Sequence, residues 1–299
     1  MHGGGEYGTA AAKHSSRLAL ALGLTATYMF AEVIGGLVTG SLALLADAAH
    51  MMTDVAGLAL ALIAIRFAAR EATPKLTYGY LRLEVLSALT NAVVLLLLTV
   101  YIIYEAYQRF LAPPEVLSGP MLAVAVVGLI VNLISMWLLA GGSSESLNVQ
   151  GAYFEVLGDM LGSLGVIAAA LIMMWTGWRL ADPIIGAGIG LFIVPRTWIL
   201  LKQVTMILME GSPPNVDTEA MQKKLLLIPG VTAIHDMHVW TITSGLDAMS
   251  CHLVVDDMAR GRGALLETRT LLKKEFGIDH VTIQIEDEAM RAEEVMLHV

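Results

Sequence analysis

Four side chains that can bind a metal ion occur as two pairs, with the members of each pair four positions apart. The pairs are His50 with Asp54 and Glu155 with Asp159, each inside an apolar stretch. On a helix, residues four apart point the same way at about 6 Å from each other, so each pair would form one edge of a site. If the helices meet, four nitrogen and oxygen donors converge, a set that Zn²⁺ accepts in tetrahedral coordination. We call these four residues the quartet.

The depth of the quartet supports this interpretation, because a charged side chain inside a bilayer is costly and normally has a partner or a task. A divalent cation would stabilise the grouped carboxylates. Two other interpretations remain open, namely a proton relay without metal and a buried polar network. Asp47, three positions before His50, fits a structural role as well as a ligand role, and structural roles are favoured for Glu32 and Asn132.

The elements that must position these residues are predicted to be membrane-spanning helices. Apolar residues make up 56% of the chain, charged residues only 15%, and the mean hydropathy is +0.69. Stretches long enough to cross about 30 Å of hydrocarbon predict six spans. They cover residues 17–38, 41–67, 83–110, 120–140, 149–175 and 181–201. The chain is therefore predicted to be an α-helical membrane protein.

The distribution of Lys and Arg predicts the orientation of these spans, because cytoplasmic loops are enriched in both residues. The basic residues on the predicted cytoplasmic side are Lys13, Arg17, Arg70, Lys75 and Arg82, whereas the other side has Arg109 and Arg179. We expect a multi-pass protein of the inner (plasma) membrane with both termini in the cytoplasm.

A second domain is predicted after Glu210, where the linker Gly211-Ser212-Pro213-Pro214 precedes a charged segment. Its pattern predicts the order α-β-β-α-β, a small α+β domain. The predicted boundaries are a cytosolic tail at 1–16, a transport domain at 17–210 and a cytosolic domain at 211–299. His235 and His252 lie on strands predicted to be neighbours, and such cross-strand pairs can bind zinc.

Composition also argues against several classes of protein. The net charge of −9 makes nucleic acid an improbable partner, and a single cysteine, Cys251, excludes a disulfide framework. The chain has no P-loop and no HExxH pattern, so we predict neither ATP-driven transport nor a zinc protease, and no enzymatic activity. The 17 methionines are mostly isolated among aliphatic residues, which is typical of apolar packing rather than of a copper site.

Several segments together resemble the cation diffusion facilitator family, in its cobalt-zinc-cadmium resistance branch. They are LALLADAAHMMTD at 42–54, GYLRLE at 79–84, EVLGDMLGS at 155–163, HDMHVW at 235–240 and HVTIQ at 280–284. The resemblance covers nearly the whole chain. It implies a homodimer with a ferredoxin-like cytosolic domain that exports Zn²⁺ in exchange for protons, with Co²⁺ and Cd²⁺ as further substrates.

The resemblance also implies roles for particular residues. The family's transport motif falls on the quartet, although many zinc exporters have His at the position of Glu155, so this site is richer in carboxylate and less selective for zinc. An interhelical salt bridge is implied between Arg82 and Glu210. A regulatory metal site is implied at His235, His252 and Glu286, which we call the tail cluster, and Gln284 replaces a further ligand there.

Two other functions remain compatible with the quartet. A passive channel or an importer would use the same ligands, because four ligands define a site but not a direction. A metal sensor anchored by its spans would have no need of ligands inside the bilayer, so the sequence favours transport.

Overall fold

The computed structural model describes residues 15–68, 70–140 and 147–293. In this part, six long helices come first. They are α1 (Ser15–Thr39), α2 (Leu42–Ala68), α3 (Leu83–Leu111), α4 (Ser118–Ala140), α5 (Leu147–Thr176) and α6 (Ala181–Leu208). Five of them, α1 and α3 to α6, are long and apolar enough to cross a membrane. The remaining helix, α2, has 27 residues and carries His50 and Asp54.

The helix bounds agree with the predicted spans to within a few residues, except at the end of α6. There the helix continues to Leu208, seven positions past the predicted end at residue 201. The predicted span ends before Lys202 because a hydropathy pattern detects only the part of a helix that is apolar enough for the hydrocarbon layer. The helix itself continues beyond that part, since polar residues such as Lys and Gln are also good helix formers. Of the predicted tail at 1–16, residues 1–14 lie outside the described residues, as does the gap at 141–146.

The chain divides into two compact units. The first comprises Met1–Ala59 and Thr90–Ile199, and the second comprises Leu60–Leu89 and Leu200–Val299. The second unit thus contains the end of α2, the start of α3 and the end of α6 besides the predicted cytosolic domain. These helical segments thus belong to the same unit as residues 211–299.

In the first unit, α4 packs against α1 and α5. Small side chains allow the helices to approach closely, as is typical of membrane bundles. The core residues shared by α2, α4, α5 and α6 are Ala43, Leu44, Met121, Ala125, Val166, Ala169, Ala170, Met173 and Ala181. This core lies beyond the quartet along α2 and α5, and it fixes the two helices side by side.

The start of α2 is held by Asp182, which is fully buried at the start of α6. The backbone N–H of Leu42 donates to Asp182 Oδ2 over 2.8 Å, and the hydroxyl of Ser41 donates to Oδ1 over 2.5 Å. Arg109 Nη1 lies 3.6 Å from the same carboxylate. The N–H groups at a helix start have no partner within the helix, so an acidic residue from another helix satisfies them.

The second unit contains a three-stranded sheet of β1 (Val231–Thr243), β2 (Leu246–Val255) and β3 (His280–Glu286), in the order β1-β2-β3. Strands β1 and β2 are antiparallel, and β2 and β3 are parallel. The helices are α7 (Thr218–Leu225), α8 (Gly261–Leu271) and α9 (Glu288–Glu293). The apolar faces of α7 and α8 pack with the sheet around Met221, Leu253 and Ala264. The predicted order α-β-β-α-β is therefore correct, with α9 added at its end.

Candidate metal sites

The first pair of the quartet lies on one face of α2. His50 Nε2 is 3.5 Å from Asp54 Oδ2, as the spacing of four residues requires. His50 Nδ1 is buried, and the described residues offer it no hydrogen-bond partner. The pair therefore presents an imidazole and a carboxylate that are held together by helix geometry alone.

The second pair lies on α5. Asp159 is buried, with 7% of its surface exposed, and its Oδ1 has no hydrogen-bond partner among the described residues. Glu155 Oε1, in contrast, is 2.7 Å from Arg196 Nη2 on α6. The spacing of the ligand pairs does not point to Arg196, although an Arg inside an apolar span is itself a signal of a functional residue.

The two pairs face a common space. Asp54, Glu155 and Asp159 are close enough to interact electrostatically with one another. His50 and Glu155 both line a cavity of 490 Å³ that is also lined by Gly158 and Arg196. The ligand atoms of the quartet do not all lie within 4.8 Å of one another, since the tail cluster alone meets that condition in the described residues. One member of each pair, His50 on α2 and Glu155 on α5, thus lines a common cavity, and the four ligand atoms are in an open arrangement.

Two further carboxylates lie deeper in the same unit. Glu32 on α1 is fully buried and accepts a hydrogen bond from Tyr28 Oη over 3.0 Å, and Asp47 on α2 is 2% exposed. The Asp47 carboxylate packs directly against Gly162 on α5, where a larger residue would collide with it. Asp47 shares a second cavity with His50. These contacts tie α1, α2 and α5 together beside the quartet.

The tail cluster is positioned by the register of the sheet. His235 on β1 pairs with His252 on β2, and His252 pairs with Gln284 on β3. Because side chains two apart on a strand share a face, Glu286 lies on the same face as these three residues. The structure therefore brings the whole cluster together, with its ligand atoms within 4.8 Å of one another.

Glu286 bridges the two imidazoles of the cluster. Its Oε2 is 3.0 Å from His235 Nε2, and its Oε1 is 2.7 Å from His252 Nδ1. Glu286 is fully buried, and Gln284 Nε2 donates a hydrogen bond to its Oε1 over 2.7 Å. Two nitrogens and one carboxylate on a sheet face suit Zn²⁺, which needs donors roughly 3.3 Å apart at bond lengths of about 2 Å.

Asp236 is a neighbour of this cluster that the sequence analysis missed. A β-bulge between His235 and His238 gives Asp236 a positive φ of 48°, a conformation that Asp adopts more readily than most residues. Its Oδ2 lies 3.8 Å from His252 Nε2, and its Oδ1 lies 2.9 Å from His238 Nε2. A strict two-residue alternation would have put this side chain on the opposite face, so the bulge decides its position.

Arg82 and Glu210 lie together in the second unit. Arg82 Nη2 donates to Glu210 Oε1 over 2.7 Å, across 128 positions of sequence. Nearby residues also join the loop before α3 to the sheet. Thr243 Oγ1 donates to Glu84 Oε2 over 2.5 Å, and the rings of Tyr78 and His280 are 5.8 Å apart. The segment 70–84 is thus attached to the sheet by two contacts and to Glu210, which follows α6, by a third.

Comparison with family models identifies both parts of the chain. A model of the cation efflux transmembrane domain matches residues 18–209, more than half of the chain. A model of the cytoplasmic domain of cation efflux proteins matches residues 213–288. The chain belongs to the cation efflux family. This membership confirms the resemblance to the cation diffusion facilitators, and with it a helical membrane domain followed by a small α+β domain.

Several curated relatives of this family member are transporters. The metal cation efflux system protein CzcD of Cupriavidus metallidurans is 50% identical over 270 residues, 90% of this chain and 85% of the relative. The cadmium, cobalt and zinc/H(+)-K(+) antiporter of Bacillus subtilis is 42% identical over 278 residues, 90% of this chain and 88% of the relative. The zinc transporter ZitB of Escherichia coli is 43% identical over 275 residues, 91% of this chain and 88% of the relative.

One solved structure covers the tail of this cation efflux protein. The metal-bound C-terminal domain of the CzcD transporter is 38% identical, spans 24% of this chain and 99% of that chain, and has a TM-score of 0.23. The family and the curated relatives together make the chain a multi-pass membrane transporter for the efflux of metal cations.

Proposed function

We propose that the protein is a proton-coupled antiporter that exports Zn²⁺ from the cytoplasm, with Co²⁺ and Cd²⁺ as further substrates. The observation that supports the proposal is a cavity between α2 and α5 that is lined by one member of each pair, His50 and Glu155. Two buried polar atoms, His50 Nδ1 and Asp159 Oδ1, support the proposal. They have no hydrogen-bond partner among the described residues, and a bound metal ion would supply the missing interaction. The names of the relatives support these metals and the antiport.

Proton coupling follows from the chemistry of the ligands. A divalent ion needs the imidazole of His50 neutral and the three carboxylates ionised, so metal binding displaces protons and protonation releases the metal. If the quartet is exposed alternately to the two sides of the membrane, protons entering from outside compete for the same atoms. Exchange of metal for protons then needs no further energy source.

The breadth of the metal range is proposed to depend on Glu155. A site with three carboxylates and one imidazole has more hard oxygen donors than a site with two histidines, so it discriminates less strongly among divalent ions. We therefore expect Co²⁺ and Cd²⁺ to be carried along with Zn²⁺.

We further assign the boundaries 1–16, 17–210 and 211–299 to a cytosolic tail, a transport domain and a cytosolic domain, in an inner-membrane homodimer with both termini in the cytoplasm. The match to the cytoplasmic dimer-domain family supports the homodimer. Metal bound at the tail cluster would favour one arrangement of this dimer, a regulatory role supported by the convergence of His235, His252 and Glu286.

The experiment is proton flux in sealed proteoliposomes with a pH-sensitive dye inside, after addition of Zn²⁺, Co²⁺ or Cd²⁺. Asp54→Asn and Asp159→Asn keep the shape of each side chain and remove its charge. We expect both variants to fall to the rate of protein-free vesicles. Glu115→Gln is the matched control, because Glu115 is 82% exposed and pairs with Arg179 away from the cavity.

Each outcome discriminates between mechanisms. Metal-dependent proton flux that is lost in both variants supports antiport through the quartet. Zinc movement without proton movement would make the protein a passive channel, and normal flux in Asp54→Asn would show that the quartet does not carry the metal.

A further inference from the structure

Arg196 is a cation of the protein itself that reaches into the quartet. It lies on α6 directly after Pro195, and its Nη2 is 2.7 Å from Glu155 Oε1. It also interacts electrostatically with Asp54 and Asp159. Arg196 lines the same cavity as His50 and Glu155. Its guanidinium is therefore placed where a metal ion must arrive.

The surroundings of Arg196 make its pairing with Glu155 significant. The neighbouring residues of α6 are apolar, with Ile193 and Val194 before it and Trp198 and Ile199 after it. A charged side chain at this depth of a membrane is costly unless it is paired or faces a water-filled cavity. Arg196 is paired with Glu155 at the wall of the cavity, where the two side chains are 67% and 41% exposed.

The charges of the site explain what Arg196 could do there. With His50 neutral, the three ionised carboxylates of the quartet carry three negative charges. A divalent ion would leave one of them uncompensated in a medium of low dielectric constant, where charges interact strongly. The guanidinium, which remains protonated, supplies the missing positive charge. The site with metal and Arg196 together is electrically neutral.

The geometry of the pair adds a second effect. Arg196 engages Oε1 of Glu155, so Oε2 is the oxygen left to bind a metal. A carboxylate held in this way is a monodentate ligand. Zn²⁺ is satisfied by four donors, whereas larger divalent ions take more oxygen donors, including both oxygens of one carboxylate.

We infer that Arg196 is a positioning and specificity-determining residue of the transport site, which holds Glu155 as a monodentate ligand and balances its charge. The inference rests on the proposed role of the quartet and adds to it. Loss of Arg196 leaves the site more negative and frees both oxygens of Glu155. Divalent ions then bind more tightly and leave more slowly, and larger ions gain most.

The test is transport kinetics in proteoliposomes for Zn²⁺ and Cd²⁺ with Arg196→Gln and Arg196→Lys. For Arg196→Gln we expect KM to fall for both ions and kcat to fall, because the site becomes more negative. The ratio of kcat/KM for Cd²⁺ to that for Zn²⁺ should rise severalfold, because both oxygens of Glu155 become available. Arg196→Lys keeps the charge and should restore KM most of the way. Arg179→Gln removes an exposed Arg of the same unit and should change none of these values.

A second background separates this role from a structural one. In Glu155→His there is no carboxylate for Arg196 to hold, so adding Arg196→Gln should no longer shift the ratio toward Cd²⁺. An equal loss of activity for both metals in both backgrounds, or unchanged KM values, would overturn the inference. If Arg196→Gln fails to fold, Arg196→Lys decides: a rise in the Cd²⁺ to Zn²⁺ ratio of kcat/KM that is absent when the same change is made in Glu155→His supports the inference, and equal ratios in both backgrounds overturn it.

Asp54→Asn is measured in the same assay, so that failure of the quartet proposal and failure of the Arg196 inference can be distinguished. If Asp54→Asn is inactive while Arg196→Gln behaves like the parent, the quartet stands and only the role of Arg196 is wrong. If Asp54→Asn transports normally, the quartet is not the transport site and the inference about Arg196 falls with it.

Discussion

His50 Nδ1 and Asp159 Oδ1 are buried polar atoms to which the described residues offer no hydrogen bond. A buried polar atom in this state costs about 1–3 kcal/mol, so natural proteins keep few of them. Both atoms belong to residues that the sequence marks as ligands by spacing alone. Unsatisfied atoms of this kind are expected at a binding site, where the substrate supplies the missing interaction.

Cys251 shows the opposite situation, a reactive residue that the fold makes inert. It is 1% exposed on β2, and burial raises the pKa of its thiol to about 12. Only the thiolate reacts with maleimides or disulfide reagents. The pKa of an unperturbed thiol is 9.0. The thiolate fraction of Cys251 at neutral pH is therefore about a thousandfold smaller than that of an unperturbed cysteine.

We therefore predict that the native protein reacts with a maleimide at pH 8 at least about a thousandfold more slowly than after denaturation. Mass spectrometry over time measures this rate, and Cys251 is the single cysteine of the chain. A second cysteine introduced by Ser244→Cys, at an exposed turn, should react at once. Rapid labelling of Cys251 at pH 8 would mean that β2 does not have the described burial.

The start of α2 is capped by a residue of another helix. Asp182 accepts hydrogen bonds from the hydroxyl of Ser41 and from the backbone N–H groups of Leu42 and Ala43, and it lies beside Arg109. Removing one member of a buried, hydrogen-bonded charge pair leaves its partners unsatisfied. The cap thus fixes the start of the helix that carries His50 and Asp54.

We predict that Asp182→Ala destabilises the protein by about 3–5 kcal/mol. For a unit of this size the melting temperature in detergent should fall by about 10 °C. Asp182→Asn keeps one acceptor oxygen and should lose less. Scanning fluorimetry compares both with Glu115→Gln, which changes an exposed ion pair and should melt like the parent. Equal melting temperatures for the parent and Asp182→Ala would contradict the capping role.

The pair Arg82 and Glu210 should act on transport and not on stability. Their side chains are 35% and 60% exposed, and exposed ion pairs contribute less than about 1 kcal/mol. We predict that Arg82→Glu or Glu210→Arg slows zinc transport severalfold with little change in melting temperature. The double charge swap should recover most of the rate in the proteoliposome assay. A swap as slow as either single variant would exclude a role for the pair.

At the scale of the whole molecule, a transporter must change the side to which its site is open. The division of the chain is informative here, because the second unit groups the end of α2, the start of α3 and the end of α6 with the sheet. The ends of these helices and the tail cluster therefore belong to the same compact unit.

We predict that the purified protein binds zinc at the tail cluster in addition to the quartet. His235→Ala should remove one class of zinc sites in equilibrium dialysis, whereas His238→Ala should not, because His238 is half exposed and pairs with Asp236 instead of Glu286. Light scattering should give twice the chain mass of 32.0 kDa for both variants. Loss of the same sites in both variants would place the zinc elsewhere.

Much of the architecture could be predicted from the sequence, because it depends on local patterns. The apolar stretches predicted the helices to within a few residues, and the local pattern predicted the order α-β-β-α-β of the second domain. The end of α6 was placed too early, since hydropathy measures contact with lipid and not helix continuity. The pairing of the quartet residues could also be predicted, because four residues make about one helical turn.

The sequence by itself determined which residues can bind metal, since residue type and helical spacing are local properties. Only the tertiary structure decided what those residues touch. The partner of Glu155 is Arg196, 41 positions away on another helix, and no local pattern links the two. Asp236 turns toward His252 because of a bulge that alternation cannot foresee. Contacts between distant segments depend on how helices and strands pack, and packing is set by the whole chain at once.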